Sequence, residues 1–154
     1  MNKDKAPESN KDKSTFKKSS IKHQPPGLKI LHEDKDIIVV DKINGLLTIG
    51  TAGERQKTAY FLLNDYVRKG NPRSRNRVFI VHRLDKDTTG LMVVAKTLEA
   101  HTHLVAQLQA RSVRRVYQAV ANGLLTGSGV VDQPIGRHPR QRIKMAVVSD
   151  GKEA

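Results

Sequence analysis

An α+β domain, built on a mixed, mainly antiparallel sheet with flanking helices, is the fold class this sequence predicts. Three observations carry that expectation. Short β-branched runs bounded by turn residues recur, as at Ile37 to Val40 and Leu91 to Ala95. Two stretches, Thr58 to Lys69 and Thr97 to Arg111, instead space their apolar residues at helical intervals. No internal repeat is visible, and strands mixed with only two helices imply a sheet partly open on one face.

Met1 to Gly27 carries seven Lys, two Asp and one Glu, with little that is large and apolar beyond Phe16 and Ile21. Such a segment cannot bury enough surface to fold by itself, so residues 1–27 are expected to form a disordered basic tail ending at Pro25-Pro26-Gly27. The domain proper is expected over 28–154. Leu28 to Leu31 and Asp36 to Asp41 read as strands joined by a turn at His32 to Lys35, and Asn44-Gly45 marks a loop. Thr58 to Lys69 follows as a helix closed by Gly70 and Asn71-Pro72, and Arg73 to Arg77 forms a basic loop leading into a strand at Phe79-Ile80-Val81.

Leu91 to Ala95 reads as the next strand. The helix after it has Thr97 as N-cap, Glu99 in its first turn, and an apolar stripe of Leu98, Thr102, Val105 and Leu108 against the sheet. Val113 to Val120 alternates in the manner of a half-exposed strand, which would place Tyr117 and Arg115 on one face. Val130 to Ile135 is short and extended, Gly136 to Lys144 is a second basic loop, and Met145 to Val148 is the last strand.

Lys and Arg number 28 against 15 Asp and Glu, a formal net charge of +13, and a balance so basic points to a polyanionic partner, nucleic acid first. The chain has no cysteine, which excludes disulfides, thiolate metal sites and cysteine nucleophiles. Its apolar runs fall far short of the ~18 residues of a membrane span, and no apolar signal core follows Met1, so a cytoplasmic protein is expected.

Val81 to Gly90 sets charge in apolar company, between two strand-like runs. A loop held by a sheet is where scaffolds present reactive groups, and Asp85, expected to be partly buried beside Arg83 and Lys86, is the first candidate for chemistry. Alternate residues of an extended stretch point apart, which argues against Asp85 and Asp87 as a glycosidase pair. A zinc site at His82 and Asp85 lacks a third ligand at metal spacing. The order His82-Arg83-Leu84-Asp85 is not that of a kinase catalytic loop, and no phosphate-binding Gly-rich loop occurs.

His82-Arg83-Leu84-Asp85, Thr89-Gly90-Leu91 and Ala95-Lys96 together resemble the signature of the RluA/RluD-type pseudouridine synthases. Asp34 to Lys42, Arg115 to Val120 and Asp132 to Pro139 look like further blocks of that family in family order, so the resemblance runs from about Leu28 to the end. It departs at Lys42-Ile43, where the family usually has Lys-Pro, and at Thr89, where Ser is common.

The resemblance implies an RNA-modifying isomerase that needs no cofactor and no metal, converting uridine to pseudouridine in structured rRNA or tRNA. By analogy Asp85 is the catalytic residue, acting on the ribose as nucleophile or as base. Tyr117 would stack on the target base, and Arg83 would help hold the nucleotide flipped out of its helix. Arg114, Arg115, Arg137, Arg140, Arg142 and Lys144 are the expected contacts to the RNA backbone, and a monomer is expected. The resemblance also implies family members that continue further, so this chain is expected to correspond to the N-terminal part of the catalytic domain. The rival expectation is a non-catalytic RNA-binding fragment of the same fold, inactive through C-terminal truncation.

Overall fold

The computed structural model describes residues 24–50, 53–54, 56–124 and 126–152, so residues 1–23 of the expected tail lie outside the described residues. Two compact units divide the chain between Arg115 and Val116.

The first unit is a four-stranded sheet with two helices. Strands β1 (Leu28–Glu33), β2 (Ile37–Lys42), β3 (Phe79–Ile80) and β4 (Gly90–Ala95) lie in the order β1-β2-β4-β3, and every pairing between them is antiparallel. One isolated parallel bridge, Leu47 with Thr58, adds the mixed character. β1 runs two residues further than the sequence suggests, because the turn tightens around Asp34, whose Oδ1 accepts from the amides of Asp36 (2.8 Å) and Ile37 (2.7 Å).

Strand alternation gives the sheet one buried face. Leu28 and Ile30 of β1, Ile38 and Val40 of β2, and Met92 and Val94 of β4 pack with Ala59, Leu63 and Val67 of helix α1 (Ala59–Arg68). Helix α1 starts at Thr58, whose hydroxyl accepts from the Phe61 amide, and ends at Lys69, whose left-handed backbone (φ 52°) closes the last turn. Asn64, buried on this helix, donates to Tyr60 O (2.8 Å) and accepts from the Val78 amide (3.1 Å), tying the helix to the chain entering β3.

Helix α2 (Leu98–Gln109) begins, as expected, at Thr97, whose hydroxyl accepts from the Ala100 amide (3.2 Å). It packs against β3 and β4, with the His101 ring 5.8 Å from Phe79. Phe79 pairs with Ala95, which alternates with Val94, so α2 meets the face opposite α1. The expected stripe is corrected in part: Val105 and Leu108 are half-buried as expected, Leu98 and Thr102 are exposed, and Ala100, His101, Leu104 and Gln107 are half-buried instead. Of these, His101, Leu104, Val105 and Leu108 fall at i, i+3, i+4 and i+7 on one helix face.

Val113 to Val120 is not a strand, and all eight residues are exposed. Alternation alone does not make a strand; a neighbouring edge must take the backbone bonds, and no strand pairing involves this stretch. Tyr117 and Arg115 therefore share no sheet face, and fall on either side of the division between units.

The second unit is a hairpin of β5 (Ile135–Arg137) and β6 (Met145–Val147). Only Ile135 of the extended Val130 to Ile135 stretch is in a strand, and Gly136 and Arg137, expected in a loop, belong to β5. At the tip, His138 Nδ1 accepts from the amides of Arg140 and Gln141, both at 3.1 Å. Gly151 backs the hairpin where a Cβ would come within 2.8 Å of the Pro134 and Ile135 backbone.

Candidate active site

The chain leaves the sheet at Val81 and returns at Gly90, and Leu84 divides this loop. Leu84 is buried in the core at 5% exposure, whereas Asp85 beside it is exposed. An apolar anchor thus drives the preceding residue inward and leaves the carboxylate at the surface. The partial burial expected for Asp85 is not found, because no described element of this unit covers the outer side of the loop.

The loop after β2 cradles the Asp85 turn through its backbone. Four successive carbonyls are taken: Leu84 O accepts from the Thr48 hydroxyl (2.6 Å), and Asp85 O from the Thr88 amide (3.2 Å). Lys86 O accepts from the Gly45 amide (3.0 Å) and Lys42 Nζ (3.1 Å), and Asp87 O from the Asn44 side-chain amide (3.0 Å). With those acceptors occupied, the turn is held to the body of the unit at Leu84, Lys86 and Asp87, and the Asp85 carbonyl closes the turn on its own Thr88 amide.

Lys42 is the centre of this cradle. Its side chain is fully buried at the end of β2, and its ammonium also donates to Ile43 O (3.1 Å) and Leu46 O (2.8 Å). Burial pushes its pKa below the ordinary lysine value, while the negative charges of Asp87 and Asp85 pull it back up. A buried cation therefore underlies the turn that carries two carboxylates.

On the other side, His82 Nε2 accepts from the Val93 amide (3.2 Å), a bond that takes up a β4 donor where β3 has ended. Burial, and then the positive charge of Arg115, lowers the His82 pKa and favours the neutral ring this acceptor role requires.

The family of RNA pseudouridylate synthases matches residues 36–154. The chain belongs to this family. Its sequence is 57% identical over 129 residues to the ribosomal large subunit pseudouridine synthase D of Pseudomonas aeruginosa, covering 82% of this chain and 39% of the relative. Likeness to the protein of the same name from Escherichia coli is 50% over 129 residues, covering 82% and 38%. Among solved structures, human RNA pseudouridylate synthase domain containing 4 matches with TM-score 0.55 and 26% identity, covering 81% of this chain and 46% of that one. The chain thus spans about two-fifths of the length of the curated relatives it matches.

The pseudouridylate synthase residues named from the sequence fall into two groups. Asp85, Arg83, Arg114 and Arg115 lie in the first unit, all exposed, with Arg115 close enough to His82 to act on it through its charge. Tyr117, Arg137, Arg140, Arg142 and Lys144 lie in the second, also exposed. Arg137 donates to Arg142 O across the hairpin (3.3 Å), so these arginines sit on an ordered tip.

Sequence reasoning passed over Lys42, Thr48 and Asn44. Lys42 carried a readable signal, a charge closing a β-branched run, the same kind that marked Asp85. Thr48 and Asn44 carried none, because a single hydroxyl or amide in a loop looks alike whether it faces water or the backbone of residue 84.

A cavity of about 650 Å³ opens at the other end of the sheet, lined by Glu33, Tyr66, Lys69, Arg77 and Lys96 among others. Several of its polar groups are engaged with one another or with the sheet: Glu33 accepts from Lys96 (2.8 Å) and Tyr66 (2.7 Å), and Arg77 stacks over Phe79 (4.8 Å). Burial and the Glu33 bond raise the Tyr66 pKa to about 12, so this hydroxyl remains a donor committed to the carboxylate.

Proposed function

We propose that this chain carries the catalytic aspartate of an RNA pseudouridine synthase, and that Asp85 acts on a uridine of ribosomal RNA. The observation that carries the reading is the cradled turn. It holds an exposed carboxylate on a fixed backbone, in a chain of the pseudouridylate synthase family. The names of the relatives favour ribosomal RNA over transfer RNA.

In the proposed reaction the target nucleotide leaves its helix, with Arg83 beside the turn helping to hold it there and Tyr117 stacking on the base. Asp85 engages the ribose, by attack at C1′ or by taking a ribose proton, and the N1–C1′ bond breaks with its electron pair passing to uracil. The base turns and C5 bonds to C1′, either as the Asp85–C1′ bond breaks and returns its electron pair to the carboxylate or as Asp85 gives the ribose proton back, and the proton on C5 departs while N1 gains one. Atoms balance, and the product is an isomer of the substrate.

Arg114 and Arg115, with Arg137, Arg140, Arg142 and Lys144 on the hairpin, serve as phosphate contacts, which a net charge of +13 supports. No helix among the described residues is long and apolar enough to cross a membrane, and the reading places the protein in the cytoplasm with its RNA. Nucleoside analysis of ribosomal RNA incubated with the chain tests the activity. Uridine at one site should give way to pseudouridine, and RNA recovered unchanged at every site would refute the reading.

A further inference from the structure

We propose that Thr48 is the positioning residue of the candidate site, fixing the backbone that presents Asp85 through a two-way hydrogen bond to Leu84. The role rests on the catalytic reading of Asp85; the clamp itself rests on geometry alone.

Strand β3 ends at Ile80, so Leu84 has left the ladder before the chain reaches Asp85. Both backbone groups of Leu84 are nonetheless buried and need partners. One hydroxyl can give and take a hydrogen bond at once. Thr48 does both, donating to Leu84 O at 2.6 Å and accepting from Leu84 N at 3.2 Å, and it is itself only 2% exposed. In effect one side chain replaces the pair of bonds that a neighbouring strand would make.

Thr48 is fixed in turn. Its carbonyl accepts from the Tyr60 amide (3.0 Å), and the Leu47 carbonyl from the Ala59 amide (2.8 Å), both in the first turn of α1. An unbroken path runs from the start of α1 through the Thr48 backbone and hydroxyl to Leu84, one residue from Asp85. Lys42 holds Lys86 on the other flank, so Asp85 is gripped from both sides. Reacting groups lose much of their effect when displaced by about 1 Å, which makes this grip relevant to rate rather than to RNA affinity.

The test measures hydrogen exchange at the Leu84 amide by NMR in the full 154-residue chain, with the Val40 and Val94 amides as references. Thr48→Val keeps the shape and removes the hydroxyl; Thr48→Ser keeps the hydroxyl; Thr48→Ala replaces the valine variant should that one not fold. In Thr48→Val, Leu84 exchange should rise by roughly tenfold or more relative to the references, and Thr48→Ser should restore it. Turnover of uridine should fall in kcat with KM unchanged, again restored by serine.

Equal acceleration of all three amides would make Thr48 a general stabiliser and overturn the proposal, as would unchanged Leu84 exchange or a serine variant no better than valine. A selective effect on Leu84 accompanied by unchanged kcat would overturn the positioning role. Should the wild-type chain turn over no uridine, the catalytic reading fails, and with it the positioning role, while the exchange ratio still decides the clamp.

Discussion

Replacing Lys42 with methionine isolates what the buried ammonium does. Methionine has nearly the same length and packs well in an apolar site, so little volume is lost. Three carbonyls lose a donor, of Ile43, Leu46 and Lys86, but Lys86 O keeps the Gly45 amide, which leaves two carrying the cost. Bonds from a charged donor are worth about 1.5–3 kcal/mol each, and removing a buried charge returns part of its desolvation penalty. The balance is a destabilisation of about 2–4 kcal/mol for Lys42→Met. Urea unfolding followed by circular dichroism measures it, and a midpoint shift should appear without a change in slope. A loss below about 0.5 kcal/mol would refute the reasoning, since it would mean that the ammonium bonds contribute no more than an apolar side chain.

Three further predictions concern titration and binding. His82 has a folded pKa below its ordinary value of 6.5, so as pH falls through 6.5 the unfolded chain takes up the proton first, and stability declines until the folded pKa is passed. His82→Gln, which retains an acceptor for the Val93 amide, should show a smaller loss between about pH 7.5 and about pH 5.5 in urea titrations than wild type. Asp34 is held down from 3.8 to about 2, first by the Ile37 amide, so the stability it lends the β1–β2 turn is present above pH 3.8 and lost as pH falls toward 2. Asp34→Ala should cost about 1 kcal/mol at neutral pH by urea unfolding, with less further loss in acid than wild type. Finally, Arg140→Ala with Arg142→Ala should lower the slope of log affinity against log salt for structured RNA by about 0.7–0.9 for each phosphate no longer neutralised, read by filter binding or anisotropy.

How much could be read from the sequence follows from the range of the interactions involved. The first-unit strands and both helix starts were legible, since β-branched runs, Thr58 and Thr97 act on their own neighbours. The reversed strand order, with β4 beside β2, was not, because pairing partners far apart leave no local mark. Val113 to Val120 misled for the converse reason: it has a strand's pattern without a pairing edge. At the site, Asp85 stood out as a charge between apolar runs. Its supports, Thr48, Asn44 and Gly45, did not, since their partners lie at least 36 residues away and are backbone atoms that any sequence provides.

The most direct measurement of the central claim uses RNA labelled with tritium at C5 of uridine, because forming the C5–C1′ bond expels that hydrogen. Wild-type chain should release tritium, and Asp85→Asn, which keeps the shape and the cradle but not the carboxylate, should release none above background while its RNA affinity stays within about threefold of wild type. Release by Asp85→Asn at the wild-type rate would contradict the account.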